Sequence, residues 1–175
     1  MKGLGPFSTD RLLAFPLRAE DLQEICLMHQ DTDVMKYMGG VRNEEQTKRW
    51  LHDNLEHWNV HGFGCWMFRD KAGGIFVGRG GLRHAQLDGA DEIELGYALA
   101  SRYWRMGLAT EMAKAVVAIG FEQLELESLI ALVDPPNIAS RNVAEKLGFH
   151  FERNTMWKSL ATMLYRLGRG QRKLD

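Results

Sequence analysis

Residues 92–121, EIELGYALASRYWRMGLATEMAKAVVAIGF, change their hydrophobic period once, across a few residues. Ile93, Leu95, Tyr97 and Leu99 alternate with Glu92, Glu94, Gly96 and Ala98, the period of two that marks a strand. From Gly107 to Gln123 the residues Ala109, Met112, Ala113, Val116, Val117, Gly120 and Phe121 recur at helical spacing. SLIALV, residues 128–133, then runs apolar without alternation, as a strand covered on both faces does, and DPPN ends it. Strand, helix, strand in this order is a right-handed crossover between parallel strands. It sets the helix start beside the carboxyl end of the first strand, where open α/β sheets bind ligands. The fold class is therefore α/β.

The flanking segments extend the pattern. TDRLLAFPLR reads as a first strand, AEDLQEICLMHQ as a helix, and NEEQTKRWLHDNLEHWNVHG as a longer helix with an Asn43–Gln46 capping box. Trp50, Leu51, Leu55 and Trp58 form the inward stripe of that second helix. CWMFRD, IFVGRGGLRH and EIELGYALA read as three strands of a meander broken at KAGG and LDGAD. After SLIALV a helix begins at Asn137 as N-cap, with Ala139, Val143 and Leu147 inward and Gly148 as its stop. FHFERN and SLATMLYRLGR close the chain as strands. A length of 175 residues fits one domain, 1–175, able to bury roughly 70% of its unfolded surface.

Composition excludes several functions. The net charge of -1 speaks against nucleic-acid binding, which needs a basic surface. No apolar run approaches the roughly 20 residues of a membrane span, and the N-terminus lacks a signal-peptide core, so a cytoplasmic protein without a membrane role is expected. Cys26 and Cys65 have no metal-ligand spacing and read as inert buried thiols. His52, His57 and His61 are spaced five and four apart, which does not put all three on one helix face, so no metal is assigned.

The helix start carries the chemistry. Its first N–H groups lack partners and the macrodipole leaves about half a positive charge there, so the end attracts phosphate. Gly107 and Ala109 leave the backbone bare, and Arg102 and Arg105 add positive charge. A tight turn with surface arginines has the same residues. Glu92 and Glu94 share one strand face; a half-buried glutamate has its pKa raised by desolvation and can act as a base near neutral pH. Asn137 and Ser140 cap their own helix or offer hydrogen bonds on the opposite wall of a cleft.

EIELGYALASRYWRMGLATEMAKAVVAIGF together with NIASRNVAEKLGFHFE resembles the core of the GNAT N-acetyltransferases, in the branch that resembles ribosomal-protein N-terminal acetyltransferases. TDRLLAFPLRAEDLQEI and DVMKYMGG are similar to that branch as well, so the likeness spans nearly the whole chain. It implies a mixed sheet of about seven strands, splayed between the fourth and fifth, with about four helices around it. It also implies acetyl-CoA as cosubstrate, lying in the split between residues 92–99 and 128–133. The pyrophosphate would rest on the loop of Trp104, Arg105, Met106, Gly107, Leu108, Ala109 and Thr110, and the pantetheine along Tyr97, Ala98 and Leu99. Asn137 and Ser140 would face them.

The implied reaction is acetyl transfer to a primary amine of a peptide or small molecule, with Glu94 as base, then Glu92, and Ser140 assisting the thiolate. Many members carry a tyrosine acid seven residues after the Asn; here that position is Ala144. A non-catalytic acyl-CoA-binding module is the alternative, and monomer and homodimer are both open. The acceptor pocket is expected to be shaped by DVMKYMGG, the helix from 43, and the strand ends near Trp66 and His84.

Overall fold

The computed structural model describes residues 3–171. Eight strands form one sheet: β1 (Phe7–Ser8), β2 (Leu12–Pro16), β3 (Cys65–Asp70), β4 (Phe76–Leu87), β5 (Ala90–Leu99), β6 (Ser128–Val133), β7 (His150–Trp157) and β8 (Leu160–Gly168). Their spatial order is β1-β2-β3-β4-β5-β6-β8-β7, antiparallel except where β5 meets β6. The sequence implied about seven; the extra strand is β1, which folds back on β2 because Phe7 packs edge-on against Trp66 and Phe68, with ring centroids at 5.5 and 5.7 Å.

Helices cover both faces. α1 (Leu22–Gln30), α2 (Thr32–Met35) and α3 (Glu44–His61) bury Ile25, Met28, Met35 and Leu51 against Cys65, Met67 and Ala98. α4 (Leu108–Glu122) and α5 (Ile138–Lys146) lie with Trp66, Phe68, Leu95 and Leu99 in the other core. Successive residues of β3 and β5 thus feed opposite cores, as the pleat requires. α3 starts at the expected capping box, where Asn43 and Gln46 exchange side-chain-to-amide bonds of 2.9 Å, and stops at Gly62 with φ 73°. α2 was not foreseen; Asp31 accepts from the amides of Asp33 and Val34 and starts this single turn inside DVMKYMGG.

Some details moved, among them a strand end and an inward position. β4 runs past His84 to Leu87 because Ala85 and Leu87 are buried, and the Asp88–Gly89 turn, with φ of 50° and 82°, closes a tight hairpin onto β5. In α5, Ala139 is exposed and not inward; Ala144 is the buried position, with Ser140, Val143 and Leu147 half-buried. Among the described residues no helix is long and apolar enough to cross a membrane.

β4 carries three glycines because its neighbours come too near for side chains. A Cβ on Gly81 would lie 2.0 Å from the Gly64 carbonyl oxygen and 2.7 Å from the Cys65 Cα, both backbone. Gly81→Ala is expected to cost about 1–3 kcal/mol or more in unfolding free energy, the range for overpacking. Gly5→Ala, which meets open space, should leave the denaturation midpoint within error.

Candidate functional site

β5 and β6 share a single register pair, Glu94 with Ile130. Beyond it β5 keeps β4 on one edge, β6 keeps β8, and the facing edges of the two strands diverge. These are the strands at 92–99 and 128–133, fifth and sixth in the chain because β1 precedes them. A cavity of about 600 Å³ opens through the split. One side is lined by Tyr97, Asn137, Ser140 and Ala144, the other by Arg42, Trp50, Arg79 and Glu94. The cavity therefore connects the α4/α5 side of the sheet to the α1/α3 side.

The loop after β5 is built to expose amides. Arg105 (φ 63°) and Gly107 (φ 76°) are both left-handed, a conformation that turns successive N–H groups toward one side. Gly107 caps α4 without any side-chain bond, so the amides of Leu108, Ala109 and Thr110 have no capping partner. Glycine is required at 107 by its φ more than by space: an added Cβ would meet only the Arg11 guanidinium, at 3.5 Å.

Arg11 was not anticipated. From β2's approach it donates to the Met106 carbonyl (2.9 Å) and to Glu111 (2.6 Å), neutralising the acidic residue in the first turn of α4. Arg102, expected beside the loop, instead donates to the Phe76 carbonyl (3.1 Å) and lies over the Tyr103 ring. The Trp104 indole donates to the Leu99 carbonyl (3.0 Å), occupying one lone pair on the β5 edge.

The two glutamates share a face, as their alternation implied, but their surroundings differ. Glu94 is buried, lines the cavity, and receives two bonds from Arg83 on the same oxygen, Oε2, at 2.8 and 2.7 Å. Glu92 is gripped in both oxygens by Arg166 of β8 (2.9 and 2.7 Å), which also holds Glu152 and Ser128, and it does not line the cavity.

On the opposite wall, Asn137 accepts from the Ser140 amide (3.1 Å), so its side chain serves as the helix cap. The Ser140 hydroxyl lies 3.1 Å from the Tyr97 hydroxyl, which spans the split from β5 to α5. Burial pushes the Tyr97 phenol up from the ordinary tyrosine value, and the Ser140 bond partly offsets it. A tyrosine hydroxyl thus reaches this wall from β5, although Ala144 supplies none from α5.

Of the segments named for an acceptor pocket, some line this cavity and others do not. Tyr37, Met38, Gly39, Trp50 and Asn54 line the cavity, whereas Trp66 is fully buried in the opposite core and His84 lies elsewhere. Arg79 and Arg83 were missed, although VGRGGLR places them at period two on one face of a central strand. His52 is exposed and outside this group; His57 and His61, one turn apart, meet His84 from β4, with ring nitrogens within 4.8 Å. His57 donates to the Phe63 carbonyl (2.9 Å) and accepts from the His84 amide (3.1 Å), tying α3 to β4.

The sequence profile of the acetyltransferase (GNAT) domain matches residues 11–150. The uncharacterised protein YkkB of Bacillus subtilis is 36% identical over 127 residues, covering 73% of this chain and 74% of its own. The uncharacterised N-acetyltransferase YnaD of the same organism is 31% identical over 150 residues, covering 83% and 82%. The crystal structure of an acetyltransferase from Agrobacterium tumefaciens superposes with a TM-score of 0.84 at 26% identity over 94% and 95% of the two chains. The chain belongs to the GNAT acetyltransferase family, as an N-acetyltransferase that takes its acetyl group from acetyl-CoA and passes it to an amine.

Proposed function

We propose direct transfer from the thioester to a primary amine, of a small molecule or a peptide N-terminus, with Glu94 as the proton acceptor. The observation that carries this reading is the through-sheet cavity with one carboxylate, Glu94, on the α1/α3 side and the Tyr97–Ser140 pair on the other. The amides from Arg105 to Thr110 would hold the pyrophosphate, and they fit it: the loop is left-handed at two residues and its nearby carboxylate, Glu111, is already paired. The diverging edge of β5 at Tyr97 and Ala98 would pair with the pantetheine, Leu99 being partly taken by Trp104. Asn137 and Ser140 would close the far wall.

An ammonium with a pKa near 10 cannot attack until it loses a proton. Glu94 has Oε1 free of any hydrogen bond among the described residues, while Arg83 fixes Oε2. Glu92, with both oxygens on Arg166, is less suited to this task than its place on the strand suggested. Negative charge developing on the thioester oxygen would fall to a backbone N–H on the open β5 edge. Direct attack also agrees with the state of Cys65, the thiol in the cavity lining, which burial pushes up to about 11 and so keeps protonated. Ser140, hydrogen-bonded to Tyr97, can donate to the departing sulfur, but a thiolate with a pKa near 8.5 needs little help.

Saturating acetyl-CoA should raise the melting temperature; a ligand at 100 times its Kd contributes about 2.7 kcal/mol. Gly107→Val, forced to a φ of 76°, should abolish that rise, and a normal rise in this variant would place the anion elsewhere. Glu94→Gln should lower turnover by about 100-fold or more with acetyl-CoA affinity nearly unchanged, and higher pH should partly restore it as free amine accumulates. Near-normal turnover of Glu94→Gln at neutral pH would remove Glu94 from this role. Ser140→Ala should lower turnover less than Glu94→Gln; the reverse order would make thiolate departure the limiting step.

A further inference from the structure

We propose that the acceptor amine carries an oxyanionic group, a carboxylate or a phosphate, that docks on Arg42 and Arg79. This rests on the reading of the cavity as the acceptor site. Arg79 rises from β4 into the cavity wall with 7% of its surface exposed, and its Nε has no hydrogen-bond partner. Among the described residues no ion pair involves Arg79 or Arg42, and both guanidiniums converge on the same atom, His29 Nε2, at 3.5 and 3.3 Å. His29 is a neutral partner: burial and the two arginines push it down to about 3, and its other nitrogen faces the Thr47 hydroxyl at 3.1 Å. No acid answers Arg79 elsewhere: the Trp50 ring lies 4.3 Å from its Cζ, the Cys65 thiol is beside it and Arg83 adds further positive charge, while Arg42 has one more partner, the neutral Met38 carbonyl at 3.3 Å.

A buried charge without a counter-charge is costly, and folded proteins normally pair it. Here the pairing that exists is spent elsewhere: Arg83 is used on Glu94. Of the cations that line the cavity, Arg42, Arg79 and Lys158 remain without an ion pair, while Asp134 is the only other acidic lining residue. Burial and the neighbouring charges draw Arg79 down to about 10, so it stays charged at neutral pH and presents its forked donors to whatever fills the cavity. Arg79 and Arg83 sit four residues apart on one face of β4, about 13 Å along the strand, and Arg83 is opposite Glu94. An amine delivered to Glu94 therefore has its far end near the two unpaired guanidiniums. The same charges repel a second ammonium, which argues against a polyamine.

The test compares kcat/KM, by thiol release, for four linear acceptors of equal length: an aminoalkyl carboxylate, an aminoalkyl phosphate, a neutral alkylamine and a diamine. The wild-type enzyme should prefer an anionic acceptor to the neutral amine by at least about 10-fold, with the diamine poorest, and the better of the two acids identifies the group. Arg79→Met and Arg42→Met should collapse this ratio through KM, and Arg79→Lys should restore part of it. The desamino carboxylate and the desamino phosphate should inhibit competitively against the acceptor. Equal kcat/KM for anionic and neutral amines, preference for the diamine, or no inhibition by either desamino acid would overturn the proposal. Because acetyl-CoA binding is read separately by thermal shift, a failure of acceptor preference alone is distinct from a failure of the transferase reading.

Discussion

The molecule is organised by one interrupted ladder. β5 is fully paired with β4 over ten register positions, yet its ladder with β6 has the one register pair Glu94–Ile130. Because α4 connects these two strands as a right-handed crossover, the gap between them opens next to the helix start that follows β5, and α5 begins on its other side. A continuous sheet would bury the Tyr97 edge and separate its two faces. Interrupted after one pair, it gives a passage through the sheet, with the Tyr97–Ser140 pair on one side and a carboxylate on the other.

The passage is electrostatically divided. Toward α4 and α5 its polar lining carries no cation, with Tyr97, Ser140 and Asn137 bonded to one another or to backbone and Asp134 just before α5. Toward α1 and α3 it holds Glu94 among three arginines and a lysine. Arg83 orients the carboxylate, whereas among the described residues Arg42 and Arg79 meet no acid, only His29, the Trp50 ring, the Cys65 thiol and, for Arg42, the Met38 carbonyl at 3.3 Å. The cost of keeping those guanidiniums buried is met by the packing of both cores, and a bound anion would relieve it.

Much of this was legible in the chain because it is encoded locally. The change of period between Leu99 and Gly107, the Asn43–Gln46 box and the Asn137 cap each depend on residues within a few positions of one another, and each lies where it was expected. The shared face of Glu92 and Glu94 was legible for the same reason. What separates the two glutamates was not, since Arg83 and Arg166 stand 11 and 74 residues away. Arg11 reaches the loop before α4 across 95 residues, and His84 joins two α3 histidines from β4. Arg79 and Arg83 did leave a signal, two cations at even spacing in a strand rich in apolar residues and glycine, and both line the cavity.

Amide hydrogen exchange with and without acetyl-CoA tests the account most directly. The amides from Leu108 to Thr110 lack capping partners and the β5 edge at Tyr97 and Ala98 faces the split, so both should exchange fast in the free protein and slow strongly on binding. Protection concentrated at these two segments is the expected result. Acetyl-CoA that leaves their exchange unchanged while protecting another surface would contradict the claim that the split between β5 and β6 is where acetyl transfer takes place.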